Sequence, residues 1–479
     1  MSLPRLLPAM LLLAGAAFSP LASQTPSPEN TRIEAKLDTI ITKLDGVAAA
    51  VGADKTAPES PPPTDETGSA AQASVDLVWV ILAGALVFLM QAGFGLLELG
   101  FSRAKNSINI VMKNFLDFSI AVVVFMFLGF GLMFGSSAGG WIGTDGFWLS
   151  NFPEDSPLWG FWFFQVVFAG TACTIVSGAM AERTKFVGYL VYAGFLSGVI
   201  YPLTGHWAWG SFAGAYGVGG TGGWLESLGF VDFAGSTVVH GCGGACALAG
   251  ILVVGARHGR FAKDGSPRMI AGHNIPLAAL GVFILWFGWF GFNAGSTLAA
   301  SGSIGRIVVN TAISPASGAL AAMLSMWFVQ GRPDVGITLN GALGGLVGIT
   351  ACCANISPAS ALAVGLVAGI LTTVSTIGLE RLRLDDAVGA VPVHLVNGWW
   401  GTLCVALFDQ KGFDARQLGI QALGTFSITA TSFILCLAVF KTVDLLVGLR
   451  ATDEEQINGL DFSEHSANAY PDFQTTEQA

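Results

Sequence analysis

Residues 231–254 read VDFAGSTVVHGCGGACALAGILVV. As a helix rising 1.5 Å per residue, a run of this length and apolarity crosses a hydrocarbon core of about 30 Å. Its interior carries a histidine, His240. An ionisable side chain at membrane depth is costly and rarely faces lipid, so it marks a functional site by default. A second such stretch, residues 387–408, reads AVGAVPVHLVNGWWGTLCVALF and carries His394. Each histidine follows a valine and precedes a glycine-containing segment. A lone membrane histidine is often a satisfied packing group, but two at matched places, half a chain apart, weigh against that. The pair points to a pore or proton-handling site rather than a water-facing enzyme pocket.

The rest of the chain agrees with a membrane setting. Of its 479 residues 52% are hydrophobic and only 11% charged, against about 25% charged in soluble domains. Mean hydropathy is +0.63. Apolar stretches fall near 77–100, 114–135, 158–181, 186–205, 231–255, 274–296, 304–329, 335–353, 358–379, 387–408 and 418–447. The expected fold is therefore an all-α polytopic membrane protein with eleven transmembrane helices. With the first span entering from outside, inner loops hold thirteen Lys and Arg, from Arg103, Lys105 and Lys113 to Arg450; outer loops hold Arg306, Lys411 and Arg416. That bias places the N-terminus outside and the C-terminus in the cytoplasm of a plasma (inner) membrane. The histidines fall in the fifth and tenth helices. Gly93-Phe94-Gly95 and Gly291-Phe292-Asn293 weakly echo each other in the first and sixth. The pattern is a 5+5 inverted repeat plus a final long helix, with the site near midplane at the repeat interface.

Residues 1–23 read as a signal peptide: Arg5, then an apolar run around Leu11–Ala14, then small residues at Ala22-Ser23. An uncleaved anchor is the alternative. Residues 24–52 form an extracytoplasmic segment. In it Ile33, Leu37, Ile40, Leu44, Val47 and Val51 make a short heptad seam, favouring a coiled coil over a surface-lying amphipathic helix. Residues 53–74, with Pro61-Pro62-Pro63, read as a flexible linker. Residues 75–447 form the membrane domain and 448–479 a polar cytoplasmic tail. The seven cysteines all lie in predicted spans, against a disulfide framework. Cys242 and Cys246 share a helix face, but His240 points about 200° away from Cys242, so no metal site is expected. No basic nucleic-acid patch exists, and no nucleophile beside a base suggests an enzyme.

Depth follows from helix rise. His240 lies about 12 Å below the outer end of helix five and His394 about 10 Å from the inner end of helix ten. Because those helices run antiparallel, the two imidazoles could meet. Phe168, Trp209, Phe292, Ser296 and Asp232 converge on the outer mouth, with Trp209 in a loop after helix four. Aromatic faces attract cations, and a hydroxyl accepts a hydrogen bond from an ammonium donor. A small monovalent cation suits such an entrance. Asp232 also suits the N-cap of helix five.

At these residues the chain resembles the Amt/Rh ammonium transporter family, of the bacterial Amt type. The matching runs are Ala181-Glu182-Arg183, VDFAGSTVVH (231–240), GWFGFNAGS (288–296), RLDDAVGAVPVH (383–394) and VGLR, GLD and EHSANAYP between 447 and 471. The likeness spans roughly residues 75–472 and keeps the motifs in order. It implies an ammonium site at Phe168, Trp209 and Ser296, with Asp232 as its acid and Gln165 as a further vestibule candidate. It implies a phenylalanine gate at Phe168 and Phe292 and twin pore histidines at His240 and His394. No cofactor is implied. The implied partners are ammonium or methylammonium, the lipid bilayer, two further copies in a homotrimer, and a PII-type signalling protein at the tail. The heptad near 33–51 would then clasp the trimer. The sequence departs from the family pattern at Gly389, where an aspartate often stands, at Pro392 beside the second histidine, and at Glu98. The mechanism expected is recruitment of ammonium, deprotonation at the gate, and passage of ammonia with the proton relayed by the imidazoles. An ammonium sensor acting through a partner and an electroneutral gas channel remain the alternatives.

Overall fold

The computed structural model describes residues 66–150, 152–217, 219 and 222–473. The predicted signal peptide and heptad segment lie outside the described residues. The expected linker, residues 53–74, lies outside the described residues up to 65, and from Glu66 the chain is helical as α1 (Glu66–Phe101). The described residues from Gln72 onward belong to one compact unit.

The larger unit is helical. After α1 come α2 (Ala104–Phe134), α3 (Leu158–Ala179), α4 (Phe186–Trp209), α5 (Ser236–Val254), α6 (Ile275–Gly295) and α7 (Ser303–Gln330). Then follow α8 (Val335–Thr350), α9 (Pro358–Arg381), α10 (Val391–Leu407) and α11 (Ala415–Val447). Among the described residues nine are long and apolar enough to cross a membrane, and α8 and α10 are shorter apolar helices. Starts are set by local chemistry. Asn274, Asp334, Ser357 and Asp414 each accept a backbone N–H at the start of α6, α8, α9 and α11, satisfying donors that a helix leaves orphaned.

The start of helix two and the end of helix four differ from the sequence reading because buried polar residues lie within the helices. Helix two was expected from residue 114, with Lys105 and Lys113 in the loop before it. Instead α2 already includes them, and Lys113 is buried with its ammonium donating to the Thr184 carbonyl at 2.6 Å. It is a helix residue, not a loop charge. Likewise α4 runs on to Trp209, so Trp209 ends a helix and His206, expected in a loop, is buried within it. The ring of His206 bridges the Met133 carbonyl at 2.7 Å and the Ser137 hydroxyl at 2.7 Å.

Helices α5 and α10 cross at glycine. A Cβ on Gly244 would collide with the backbone of Leu395, and one on Gly398 with the Ser236 carbonyl. Only hydrogen at these positions lets the two backbones approach closely enough for their histidines to meet. The tail also folds. Two short helices, α12 (Asp453–Asn458) and α13 (Leu460–His465), follow α11. Thr452 and Glu455 make a reciprocal capping box for α12.

Candidate functional site

The two histidine helices begin alike. Each opens with a π-helical turn, Ser236–Gly241 and Val391–Val396, and each histidine sits in that turn. Such widened turns cluster at functional sites because they redirect side chains. An aspartate eight residues before the histidine holds each start. Asp232 accepts N–H bonds from Gly235, Ser236, Thr237 and Val238 at 2.8–2.9 Å. Asp386 accepts from Gly389, Ala390 and Val391 at 2.7–3.0 Å. Burial pushes both carboxyls above their usual range, and the backbone donors pull partly back. Three residues after each aspartate the chain turns left-handed, at Gly235 (φ +110°) and Gly389 (φ +83°). Gly389, read from sequence as a missing aspartate, is thus the counterpart of Gly235: the acid of this half is Asp386. Pro392 falls in the first turn of α10, where a missing N–H costs no hydrogen bond, so it does not break the helix.

The imidazoles meet. Nδ1 of His240 lies 3.1 Å from Nδ1 of His394, and the rings stack at 5.2 Å between centroids, 22° apart. One nitrogen donates and the other accepts, as neutral rings allow. Both side chains are buried, and Nε2 of His240 has no partner.

A row of rings leads to this pair. Phe168 and Phe292 stack at 4.1 Å, both essentially inaccessible. Phe292 continues to His240 at 5.4 Å, and past His394 stands Phe94 at 6.2 Å. On the other side of the Phe168–Phe292 pair opens a cavity of about 980 Å³, whose lining includes Asp76, Trp209, Glu226, Asp232 and Ser296. Gln165 faces a small recess between this cavity and Phe168, and its Oε1 is buried without a partner. Trp209 packs edge-on to Phe168 at 6.3 Å, and its Nε1 donates to the Asp232 carbonyl at 2.8 Å. The Ser296 hydroxyl donates to the Phe292 carbonyl at 2.9 Å, leaving its lone pairs for a donor in the cavity. Phe168, Trp209, Asp232, Ser296, Phe292, His240, His394 and Gln165 thus lie along one row of rings and its adjoining cavity.

Residues 78–470 match the sequence model of the Ammonium Transporter Family. The chain belongs to the ammonium transporter family. It is 45% identical over 434 residues to "Ammonium transporter Amt2" of Archaeoglobus fulgidus, covering 84% of this chain and 90% of that one. A putative ammonium transporter of Synechocystis is 45% identical over 400 residues, covering 82% and 74%. Among solved structures, a "Sensor Amt Protein" superposes with a TM-score of 0.80 at 42% identity, covering 83% of this chain and all of that one. A Mep2 variant from Candida albicans superposes at 0.70 and 28%, covering 80% and 88%. The curated relatives are named as transporters, and family membership with nine membrane-length apolar helices among the described residues makes this chain a multi-pass membrane protein.

Sequence reading missed three groups. Asp386 was not singled out, although its spacing to His394 repeats that of Asp232 to His240. Trp289, in the quoted GWFGFNAGS run, stacks on His240 at 4.9 Å. An ion-pair network closes the opposite end of the bundle. The Arg257 guanidinium bonds both oxygens of Asp385, at 2.8 and 2.9 Å, and reaches Glu182 at 3.3 Å. Arg103 also pairs with Glu182, at 2.8 Å. Arg183 donates to the carbonyls of Ala179, Ala181, Gly255 and Asp385. Burial alone would raise the Glu182 and Asp385 carboxyls. Arg257, with Arg103 for Glu182 and Arg183 for Asp385, outweighs it and holds both below the usual range.

Proposed function

We propose that this protein takes up ammonium across the plasma (inner) membrane, and that the row of rings from Phe168 to His394 is its conduction path. The observation that carries the reading is the direct Nδ1–Nδ1 contact of two buried histidines behind a stacked phenylalanine pair. Ammonium enters the cavity at the outer face. There the Trp209 and Phe168 rings, the Ser296 hydroxyl and the field of Asp232 replace part of its hydration shell, and Gln165 offers a further carbonyl oxygen. The Phe168–Phe292 stack admits no hydrated ion, and stripping the ion bare costs several kcal/mol. The ion therefore gives up a proton at the gate. Ammonia passes the phenyl rings, and the imidazole pair takes the proton inward. Two cationic rings in such contact repel strongly in a dry site, so the pair carries at most one proton at a time.

Supporting the topology, the charge bias of the loops fits eleven crossings with α1–α5 and α6–α10 inverted, an external N-terminus and a cytoplasmic tail. The matched starts of α5 and α10 fit that inversion. The family resemblance supports a homotrimer with one pore per subunit and a tail able to meet a PII-type protein. Ammonium-evoked currents from proteoliposomes on solid-supported membranes test the mechanism. Inward current that rises with ammonium and methylammonium is expected, with none for potassium. Ammonia entry with no current at any pH would leave an electroneutral channel instead. A double variant, His240→Asp with His394→Glu, is expected to admit potassium; unchanged selectivity removes the histidines from that role.

A sensing role is favoured by one finding, the likeness to the solved "Sensor Amt Protein" over all of that chain. Here it would run through the folded tail and a partner. Ammonium-dependent binding of a partner, in a protein that passes no current, would decide for it.

A further inference from the structure

The surroundings of the two imidazoles are unequal. His240 lies 4.9 Å from Trp289 with the planes 17° apart, and 5.4 Å from Phe292 at 29°. His394, apart from His240, meets the Phe94 ring at 6.2 Å and 42°. The carboxylates that open α5 and α10 cannot favour one ring by direct contact. Those of Asp232 and Asp386 are taken up by backbone amides. The groups that can answer a charge on His240 at close range are therefore π faces. Trp289 is fully buried and its orientation is fixed: Nε1 donates to the Thr350 hydroxyl at 2.8 Å, and that hydroxyl donates to the Leu346 carbonyl at 2.7 Å. An indole pinned by its edge keeps its face toward the imidazole.

We propose that Trp289 is a positioning residue for proton transfer: its stacked face stabilises His240 in the cationic form, so the proton in transit rests on His240 before it reaches His394. Indole is the strongest of the aromatic faces toward a cation. The proton donated by ammonium at the gate thus meets first the imidazole whose charged form is better supported, which opposes its return through the phenyl rings. This assignment rests on the reading that the histidine pair carries a proton.

The test compares Trp289→Leu, Trp289→Phe and Thr350→Val with wild type in proteoliposomes. Ammonium-evoked current and ammonia entry, followed by an internal pH dye, are recorded on the same preparation. Trp289→Leu is expected to lower the current about 2- to 30-fold, the range of a cation–π contact from exposed to desolvated, while ammonia still enters. Trp289→Phe, which keeps a face, should retain more current than Trp289→Leu. Thr350→Val, which frees the indole edge, should fall between wild type and Trp289→Leu. Wild-type current in Trp289→Leu overturns the assignment. So does an equal loss of current and ammonia entry in Trp289→Leu and Trp289→Phe, which marks a purely packing role. Absence of current in wild type itself would instead overturn the proton reading on which the assignment rests, before any variant is measured.

Discussion

Gly389 shows how a single backbone angle decides what a residue is for. With φ at +83° it occupies a region where an L side chain is strained, and a Cβ would also press on the Asn340 amide. That amide is engaged, donating to the Val388 carbonyl at 2.9 Å. Gly389→Ala therefore combines backbone strain of about 1–2 kcal/mol with a steric push on the turn that carries His394. Gly412, at φ +102° with nothing within 4 Å, supplies the control: it shares the strain without the push. Thermal unfolding should rank Gly389→Ala below Gly412→Ala, and only the former should lose current. Equal midpoints and equal currents would show the turn to be loose. The same logic applies to the carboxylates. Asp386→Ala removes the carboxylate that accepts three N–H bonds at the start of α10 and should cost about 1–2 kcal/mol, as for a lost N-cap. Asp386→Asn, which keeps an acceptor oxygen, should cost less. If Asp386→Ala unfolds at the wild-type temperature, the cap is not holding the helix.

At the level of helices, the decisive device is the crossing of α5 and α10. Gly244 and Gly398 remove the side chains that would hold the two backbones apart, and the 3.1 Å imidazole contact follows. Gly244→Val should spread the crossing and separate the rings. Overpacking of this kind costs about 1–3 kcal/mol, so the protein should remain folded but conduct little ammonium. Wild-type current from a folded Gly244→Val protein would refute the requirement. This crossing was legible in part. Apolar runs located α1 to α11, and helix rise brought His240 and His394 toward each other, because both signals depend on period and length alone. Other features depended on partners that no single sequence displays. Lys113 reads as a loop charge, yet α2 keeps it, because its ammonium reaches the Thr184 carbonyl; the next residue, Asn114, donates to Glu98 at 3.0 Å. Glu98, noted from sequence only as an oddity, also accepts from Ser177 at 2.9 Å. A polar residue inside a span looks like a boundary until its partner is known. Trp289 was invisible for the opposite reason: in an apolar helix a tryptophan is expected to pack, and its stacking on His240 is set by tertiary geometry.

Across the whole membrane unit, stability is concentrated where helices are apolar and vulnerability where charges are buried. The end opposite the cavity gathers loops from both halves of the chain around Arg257, Asp385, Glu182 and Arg103. The tail is bound to the same end. Asp461 accepts from the Asn109 N–H at the start of α2, and Glu464 accepts from the Phe186 N–H at the start of α4, both at 2.8 Å. Leu449 and Ala451 pair with the backbone around Arg183 and Lys185 at 2.9 Å. Removing Arg257 would leave two buried carboxylates short of their main partner. Loss of one member of a buried pair costs about 3–5 kcal/mol, so Arg257→Ala should lower the unfolding temperature more than substitution of an exposed loop residue. The pH dependence follows from the same contacts. Asp385 and Glu182 are held below their ordinary values in the folded protein, so the folded state binds fewer protons than the unfolded chain as pH falls. Their contribution is whole above about pH 5, where unfolded carboxylates are also ionised, and is lost progressively below that as pH drops toward the folded values. Thermal unfolding of the detergent-solubilised protein between pH 7 and 4 should therefore show a steep acid limb in wild type. In Arg257→Ala the midpoint should be lower at pH 7 and the acid limb shallower, because the unpaired carboxylates no longer resist protonation. A variant with the wild-type midpoint and the wild-type acid slope would mean that the network is solvated in the native protein and contributes little to holding the two halves of the chain together.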